Sequence, residues 1–265
     1  MLEKMLLGRY IQGDSWVHRL DPRTKLVASF YFIIIIFIAN NWITYLLLTL
    51  FTLLALYLSE IPLKFFINGV KPMIWIILFT VVFQMLFTSG GTEYFRWGPI
   101  VISSLGITNA IYIFIRLVLI IFISTLLTLT TAPLELTDGI EHLFRPLARF
   151  GFPANELALM LSIALRYVPT LMDEATKIMN AQRSRGVEFD QGGLVDRMKA
   201  IIPILVPLFV SAFNRAEEMA SAMEARGYRG GEGRTKYRQL KFHGQDALVL
   251  ITMIALTVAL VVLRT

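Results

Sequence analysis

The chain has 265 residues, of which 56% are hydrophobic and only 17% charged, and its formal net charge is +6. Soluble domains carry about 25% charged residues, so this composition excludes a soluble protein and predicts an integral membrane protein. The sequence contains no cysteine, which excludes a disulfide framework, a thiolate metal site, an iron–sulfur cluster and a covalently attached haem.

The N-terminal stretch "MLEKMLLGRYIQGDSW" alternates charged residues with short apolar pieces. A cleaved signal peptide would instead have a continuous apolar region of about 7 to 15 residues followed by small residues. We therefore expect the first long apolar run to be an uncleaved membrane span.

Five apolar runs approach or exceed the length that a helix needs to cross about 30 Å of hydrocarbon. They are residues 25–40, 42–58, 71–88, 105–130 and 247–263. A spanning segment must satisfy its backbone hydrogen bonds internally, so each run is predicted to be a helix. The predicted fold class is all-α: a polytopic membrane protein with about five transmembrane helices and a cytoplasmic or interfacial helical domain between the fourth and fifth spans.

The stretch "HRLDPRTKL" opens the first predicted span. Asp21 suits the N-cap, and Pro22 suits the first helical position, where its missing N–H costs nothing. Arg23 and Lys25 are then expected at the cytoplasmic headgroups. A capped, charge-anchored helix start explains the stretch; a dedicated functional role is the alternative.

Lysine and arginine are distributed unevenly between the loops. Residues 1–25 hold five, residues 59–72 hold two and residues 133–246 hold fifteen, whereas the alternate loops hold only Arg96 and Arg264. Basic residues accumulate on the cytoplasmic side of membrane proteins. We therefore predict a multi-pass protein of the cell membrane, with the N-terminus and the long middle segment cytoplasmic and the C-terminus outside.

Arg116 is the only charged residue well inside a predicted span. An ionisable group within the membrane is a functional candidate by default. No acidic residue lies in the core of another predicted span to pair with it. An interhelical or snorkelling anchor is therefore the preferred interpretation, and a functional charge is the alternative.

Residues 131–246 mix acidic and basic residues with apolar residues at helical spacing. The pattern predicts a short helix with Thr131 as its cap, Pro133 in its first turn and Gly151 just beyond its end. Two longer amphipathic helices follow at about 154–185 and 194–226. The predicted domains are an N-terminal bundle of four spans (1–130), the cytoplasmic helices (131–246) and a last transmembrane helix (247–265).

The two long helices have an apolar face and a polar face. Met198, Ile201 and Leu205 begin the face of the second helix that is expected to point inward. Its uncharged core, residues 200–213, is short for a span, and Arg166 interrupts the first helix. We place both helices at the cytoplasmic face of the membrane, with seven spans as the alternative.

Prolines and methionines are the other notable residues of these two helices. Pro169, Pro203 and Pro207 each remove a backbone hydrogen bond and favour a kink, which makes them candidate hinges. Six of the eleven methionines also lie here. Methionine surfaces adapt to more than one partner, although filling gaps in a core is the plainer explanation.

Both long helices are predicted to end in the same way, in "NAQRSRGVEF" and in "SAMEARGYRG". In each, an alanine and an arginine lie one helical turn apart on one face, and a glycine follows where a left-handed residue ends a helix. Arginine in the last turn also complements the helix dipole. Capping explains one such ending but not its repetition, so two equivalent protruding docking points are expected.

The chain resembles the T component, the shared transmembrane scaffold, of energy-coupling factor (ECF) transporters. That family carries two Ala-Arg-Gly motifs at the ends of cytoplasmic coupling helices, and its members tend to begin with Leu-Asp-Pro-Arg-Thr-Lys. The first motif here reads "AQRSRG" and the second "AMEARG", so Arg183 is a candidate to share the work of Arg185. The matching residues are Leu20 to Lys25, Ala181, Arg185, Gly186, Ala222, Arg226 and Gly227.

The resemblance implies a non-catalytic energy-coupling subunit of an ATP-driven importer, without a cofactor of its own. In the family, two cytoplasmic ATP-binding-cassette ATPases each grip one motif, and a separate membrane protein, the S component, captures a vitamin or a metal ion. The residues expected to contact the S component or to act as hinges are Met160, Pro169, Met172, Pro203 and Pro207.

The sequence agrees with this division of labour. It contains no G-x-x-x-x-G-K-[ST] loop, so ATP hydrolysis is expected on partner chains. Its three histidines are far apart, which argues against a metal-ligand pair, and no nucleic-acid role is expected. A stand-alone secondary transporter is the runner-up, but that class needs polar groups or broken helices at mid-membrane. A membrane enzyme ranks third.

Overall fold

The computed structural model describes residues 10–97, 100–146, 153–187, 189, 193–230 and 240–264. Within these ranges the chain is helical apart from one short hairpin, which confirms the predicted all-α class. The helices are α1 (Pro22–Ile35), α2 (Trp42–Leu58), α3 (Leu63–Val70), α4 (Ile74–Phe87), α5 (Ser104–Thr130), α6 (Pro133–Phe144), α7 (Ala154–Ser184), α8 (Leu194–Ala225) and α9 (Gly244–Val262).

The described residues fall into two compact units. Those up to Gly139, together with those from Leu240 onward, form the first unit, and those from Ile140 to Gly230 form the second. In the first unit, α5 packs against α1, α2, α3 and α4, and α1 packs against α9. Phe32, Leu48 and Leu260 are fully buried at the centre of this core.

Among the described residues, four helical segments are long and apolar enough to cross a membrane: Leu63–Phe87, Ser104–Thr130, Met198–Ala225 and Gly244–Val262, with Trp42–Leu58 as a shorter apolar helix. This supports a multi-pass membrane protein but changes the set of candidate spans. The predicted first span, 25–40, corresponds to the 14-residue α1 and a three-residue 3-10 turn, which is short for a crossing.

α8 meets the length and composition of a span although it was predicted to lie at the membrane surface. The prediction counted only the uncharged core of this helix, residues 200–213, and that core is too short to cross a membrane. Lys199 precedes that core, and a long basic side chain near the end of an apolar stretch can reach the headgroups. α8 is thus a candidate span by length and composition only, whereas α7 is not among the candidates, so the seven-span alternative, which needs both helices to cross, is not met.

The structure differs from the prediction at two connections. The segment placed in a loop at 59–72 contains α3, which runs through a 3-10 turn at Lys71–Met73 into α4. Between α4 and α5, strands β1 (Glu93–Trp97) and β2 (Ile100–Ser103) pair antiparallel. Aromatic residues before a Gly-Pro dipeptide and β-branched residues after it are typical of a hairpin, and the sequence analysis did not use that signal.

The beginning of α1 follows the prediction for Asp21 and Pro22 but not for Lys25. Asp21 is the N-cap and accepts a hydrogen bond from the Arg23 backbone N–H, with Pro22 in the first turn. Lys25 is only 5% exposed, and its Nζ donates to the carbonyls of His18 and Thr130 at 2.9 Å each. The expectation that Lys25 lies at the headgroups is therefore wrong, because backbone carbonyls satisfy the ammonium inside the bundle.

Asp246 joins the beginnings of α1 and α9. Its carboxylate is fully buried and accepts hydrogen bonds from the backbone N–H groups of Asp21 and His243, each at 2.8 Å. One side chain thereby satisfies donors of two chain segments more than 220 residues apart. Asp21 in turn pairs with the Arg23 guanidinium at 2.8 Å, so this buried group of charges fixes the first helix against the last.

Candidate docking surface at the paired arginine-glycine helix ends

The predicted long helices are present with nearly the predicted bounds. α7 spans Ala154–Ser184 and α8 spans Leu194–Ala225, and each assignment continues through its prolines. The preceding short helix, α6, begins at Pro133 as predicted and ends at Phe144, whereas the predicted end at Gly151 lies outside the described residues. The two motifs therefore stand at the C-terminal ends of two helices of about equal length.

The end of α7 is a Schellman motif. The Gly186 N–H donates to the Arg183 carbonyl at 3.0 Å, and the Val187 N–H donates to the Gln182 carbonyl at 3.0 Å. Gly186 has φ +88°, in the left-handed region that favours glycine. A Cβ there would meet nothing within 4 Å, so backbone conformation and not space requires the glycine.

The end of α8 repeats this geometry. The Gly227 N–H donates to the Glu224 carbonyl at 2.8 Å, the Tyr228 N–H donates to the Met223 carbonyl at 3.0 Å, and Gly227 has φ +74°. Both arginines occupy the same position, directly before the left-handed glycine. The repeated phrase in the sequence is therefore a repeated local structure, which gives the two guanidinium groups equivalent starting points.

All the motif residues lie at the surface of the chain. The exposed set is Ala181, Arg183, Arg185, Gly186, Ala222, Arg226 and Gly227. The small side chains of the alanines leave the helix surface open one turn before each arginine. An exposed arginine fork with a small neighbour permits close, bidentate contact with a carboxylate of another chain.

Arg183 differs from Arg185 in its surroundings. Its guanidinium carbon lies 5.7 Å from the centroid of the Phe189 ring, within cation–π range. The two residues are about 200° apart around the helix, so their side chains point in different directions. The equivalent position in the second motif is Glu224. The sharing of one contact by Arg183 and Arg185 remains a prediction.

α7 and α8 meet through side chains near their middles. The Tyr167 hydroxyl donates to the Met219 Sδ at 3.8 Å, and Glu174 accepts hydrogen bonds from Ser211 and Arg215. Contacts that advance along α7 move back along α8, so the helices are antiparallel where they cross. The structure therefore does not bring the two motifs together: the two C-terminal ends diverge from the crossing.

The inward face predicted for α8 is correct only for its second half. Leu208, Ala212 and Met219 are half-buried, but Met198 and Leu205 are exposed, at 69% and 54%. α8 meets α7 between Ser211 and Met219, and the exposed residues lie at least one turn before that contact. The first half of α8 consequently presents apolar side chains to its surroundings.

The residues predicted to contact a membrane partner or to act as hinges are spread along both helices. Met160 is 63% exposed, Pro169 and Pro207 are exposed, and Met172 and Pro203 are half-buried. Exposed apolar residues surround the two α8 prolines, among them Ile202, Val206 and Phe209. An apolar surface of this kind is typical of a contact with lipid or with another membrane protein.

Arg116 of α5 contacts α2 and the 3-10 turn that follows α1 in the first unit. Its Nη2 donates to the Tyr45 hydroxyl at 2.6 Å, and its guanidinium carbon lies 5.0 Å from the centroid of the Phe37 ring. Tyr45 is buried and stacks on Tyr112 at 4.7 Å. The contacts connect α5 to α2 and to the 3-10 turn after α1, which favours the interhelical anchor.

We expect Arg116→Leu to lower the folded yield and the thermal stability in detergent, because it leaves the buried Tyr45 hydroxyl without its partner, at a cost of about 1 to 3 kcal/mol. Transport per folded molecule should persist. Adding Tyr45→Phe removes the unpaired hydroxyl and should recover part of the stability. Full yield of Arg116→Leu with transport lost would contradict the anchor.

Within the described ranges, His, Asp and Glu side chains form no group of three that could hold a metal ion. The crossing of α7 with α8, through Glu174, Ser211 and Arg215, was not singled out from the sequence. A signal was present: Glu174 and Arg215 are 41 positions apart, the same spacing as Arg185 and Arg226.

Comparison with known proteins gives a consistent result. Residues 13–237 match the family described as cobalt transport protein, CbiQ. An energy-coupling factor transporter transmembrane protein, EcfT 1, of Listeria monocytogenes is 58% identical over 265 residues, covering 100% of both chains. The EcfT protein of Lacticaseibacillus paracasei is 59% identical over 99% of this chain and 100% of the relative, and that of Bacillus subtilis is 53% identical over 100% of both.

Proposed function

The chain belongs to the family of energy-coupling factor transporter transmembrane proteins, and from this membership we propose that it couples two cytoplasmic ATP-binding-cassette ATPases to a substrate-binding S component. In this role it is a non-catalytic subunit of an ATP-driven importer of vitamins or metal ions. ATP is hydrolysed on the partners, and the substrate pocket lies in the S component.

The observation that carries the proposal is the twin helix ending. Two exposed arginines occupy the same position of two Schellman motifs with matching hydrogen bonds. A local structure needed only to stop a helix does not require the same exposed guanidinium twice. Two copies of one docking point suit two copies of one class of partner, and each arginine matches a carboxylate on an ATPase surface.

The apolar surface of α7 and α8 supports the second half of the proposal. Met160, Met198, Leu205 and Phe209 are all more than half exposed. A membrane-embedded S component would cover such a surface with apolar contacts, and methionine adapts to different partners. Closure of the ATPase pair would move the two arginine-bearing ends, and the apolar parts of the helices would pass that movement to the S component.

The proposed organisation follows from the same assignment. Residues 1–130 form the N-terminal transmembrane bundle, residues 131–246 contain the coupling helices, and residues 247–265 form the last transmembrane helix. The N-terminus and the arginine-bearing ends face the cytoplasm, where ATP is available, and the C-terminus lies outside. The distribution of lysine and arginine supports this orientation.

The first unit has few of the features that a secondary transporter needs. A cavity of about 150 Å³ between α1, α2, α5 and α9 is lined mostly by apolar side chains, and Lys25 at its wall already donates to two backbone carbonyls. Arg116 donates from Nη2 to Tyr45 and lies over the Phe37 ring, and its buried Nε has no hydrogen-bond partner among the described residues. A transporter with its own substrate site needs polar groups directed toward the site at mid-membrane.

Reconstitution in proteoliposomes tests the proposal. The purified chain alone should neither transport substrate nor hydrolyse ATP, and it should support both when the two ATPases and an S component that co-purify with it are added. Substrates to be tried are radiolabelled vitamins and divalent metal ions. Transport by the chain alone would instead favour the secondary transporter.

A further inference from the structure

Glu174 is the centre of the contact between α7 and α8. One oxygen of its carboxylate accepts a hydrogen bond from the Ser211 hydroxyl, and the other accepts one from Arg215 Nη2 at 3.0 Å. The carboxylate side chain is 23% exposed and the arginine side chain 37% exposed. We refer to Glu174, Ser211 and Arg215 as the crossing cluster.

The crossing cluster lies within apolar stripes. One turn along α7 on either side of Glu174, Leu171 and Ile178 are half-buried, and Ala212 and Met219 hold the corresponding half-buried places on either side of Arg215 on α8. Apolar contacts of this kind tolerate sliding by a turn, because they have no direction. A carboxylate that must meet a hydroxyl and a guanidinium has one geometry, so the ion pair fixes the point at which the helices cross.

Stability is a poor explanation for the pair. A half-exposed ion pair typically contributes about 0 to 1 kcal/mol, because water screens it. Arg215 Nε is also buried without a hydrogen-bond partner among the described residues, which is a cost. A contact that contributes little to stability but fixes the geometry is suited to positioning.

The crossing cluster is placed symmetrically with respect to the two docking ends. Arg185 follows Glu174 by 11 residues on α7, and Arg226 follows Arg215 by 11 residues on α8. Eleven residues make a helical segment about 16 Å long and turn the chain about 20° beyond three full turns. Each docking arginine therefore lies the same distance from the crossing and on nearly the same face as the cluster residue of its helix.

We propose that Glu174 and Arg215, supported by Ser211, are positioning residues that form the fulcrum of two helical arms of equal length. The fulcrum holds the docking ends at a set distance and makes a displacement at one end turn its helix against the other. This inference rests on the proposed function, since it assumes that ATPases act on the ends. Beyond that function, the inference names the residues that convert movement of the ATPases into rotation of α7 against α8 at the crossing.

The first test measures transport per ATP hydrolysed by the reconstituted complex. Glu174→Gln and Arg215→Gln should leave both ATPases bound and hydrolysing ATP, but should lower transport per ATP by about fivefold or more. The exchange Glu174→Arg with Arg215→Glu restores an ion pair, with Ser211 now accepting from the arginine, and should recover most of the loss. Asp173→Asn removes an exposed acid next to the cluster and is the matched control.

A second test measures the geometry directly. The chain has no cysteine, so Asn180→Cys with Ser221→Cys introduces two unique sites for spin labels, at equivalent exposed positions of the two helices. Electron-electron double resonance on the full chain in lipid nanodiscs should give one narrow distance. Either single cluster substitution should broaden it, and the charge exchange should narrow it again.

The proposal is overturned by wild-type transport per ATP in both single variants, by an unchanged label distance, or by a charge exchange that performs no better than the singles. A decline of all measured activities together with loss of bound ATPase would also contradict it, because that is a structural role. If the wild-type chain binds no ATPase, the proposed function fails, and the label distances still decide whether the cluster sets the crossing.

Discussion

Replacing Arg185 and Arg226 together with alanine is expected to release both ATPases and abolish transport while leaving the chain folded in the membrane. Both side chains are exposed at the ends of their helices, so their removal uncovers no core. In the assembled transporter each guanidinium is expected to be buried in a charge pair. Removing one partner of such a pair costs about 2 to 5 kcal/mol of binding free energy.

The loss of ATPase binding is expected to be large because both docking arginines are replaced at once. Two separate losses of about 2 to 5 kcal/mol, each equivalent to a factor of about 30 to several thousand in affinity, exceed what a membrane complex can compensate. Each single variant should retain partial binding, since the ATPase at the other end still holds. Arg185→Lys with Arg226→Lys keeps the charge but loses the fork, so we expect an intermediate result.

Co-purification in mild detergent, followed by quantification of ATPase per chain, measures this prediction. Arg166→Ala removes an exposed arginine of α7 outside the motifs and should leave the yield of ATPase unchanged. Wild-type amounts of ATPase and a wild-type transport rate in the Arg185→Ala, Arg226→Ala chain would refute the docking assignment.

The second large effect is expected for Asp246→Ala, which should destabilise the first unit by about 3 to 5 kcal/mol. The substitution removes a fully buried carboxylate and leaves the backbone N–H groups of Asp21 and His243 without their acceptor. It also deletes the side chain that caps the beginning of α9. Native membrane bundles have little stability in reserve, so folded yield should fall steeply.

Fluorescence-detected size exclusion after a temperature series gives the apparent melting temperature for this comparison. Asp246→Asn keeps one carbonyl acceptor and should lie between wild type and Asp246→Ala. Asp14→Ala is the control, since Asp14 is an aspartate whose side chain is 97% exposed. Equal melting temperatures for Asp246→Ala and wild type would show that the buried network does not hold α1 against α9.

The elements of this fold that could be predicted are those whose signals are local. The bounds of α7 and α8 follow from apolar periodicity and from the glycines at 186 and 227, whose left-handed conformations a C-terminal glycine predicts. The N-cap at Asp21 is local for the same reason. Each of these features depends on residues within two turns of one another.

The features that escaped prediction depend on distant parts of the chain. Lys25 is buried because carbonyls of His18 and Thr130 meet its ammonium, and Thr130 is 105 positions away. Its charge at the start of the first predicted span led to the expectation that Lys25 lies at the headgroups, because the local sequence does not show such partners. Asp246 was not singled out from the sequence, because one of its two hydrogen-bond donors, the Asp21 backbone N–H, lies 225 positions away.

The same distinction applies to the candidate docking site. Sequence alone singled out both arginines, both glycines and both alanines as candidates, because the repeated phrase is visible without a fold. It did not identify Glu174 and Arg215, since their pairing appears only when α7 and α8 cross. Glu174 and Arg215 are 41 residues apart, and so are Arg185 and Arg226. A search of the sequence for internal repeats would detect this common spacing.

Site-specific photo-crosslinking from the two helix ends tests the central claim most directly. Ser184 and Ala225 are exposed, equivalent positions, each immediately before a docking arginine. A photoreactive amino acid at either position, activated in intact cells, should capture an ATP-binding-cassette ATPase, with ATPase crosslinks at both positions. Crosslinks from these positions to lipid or to membrane proteins alone, with no ATPase at either end, would contradict the account.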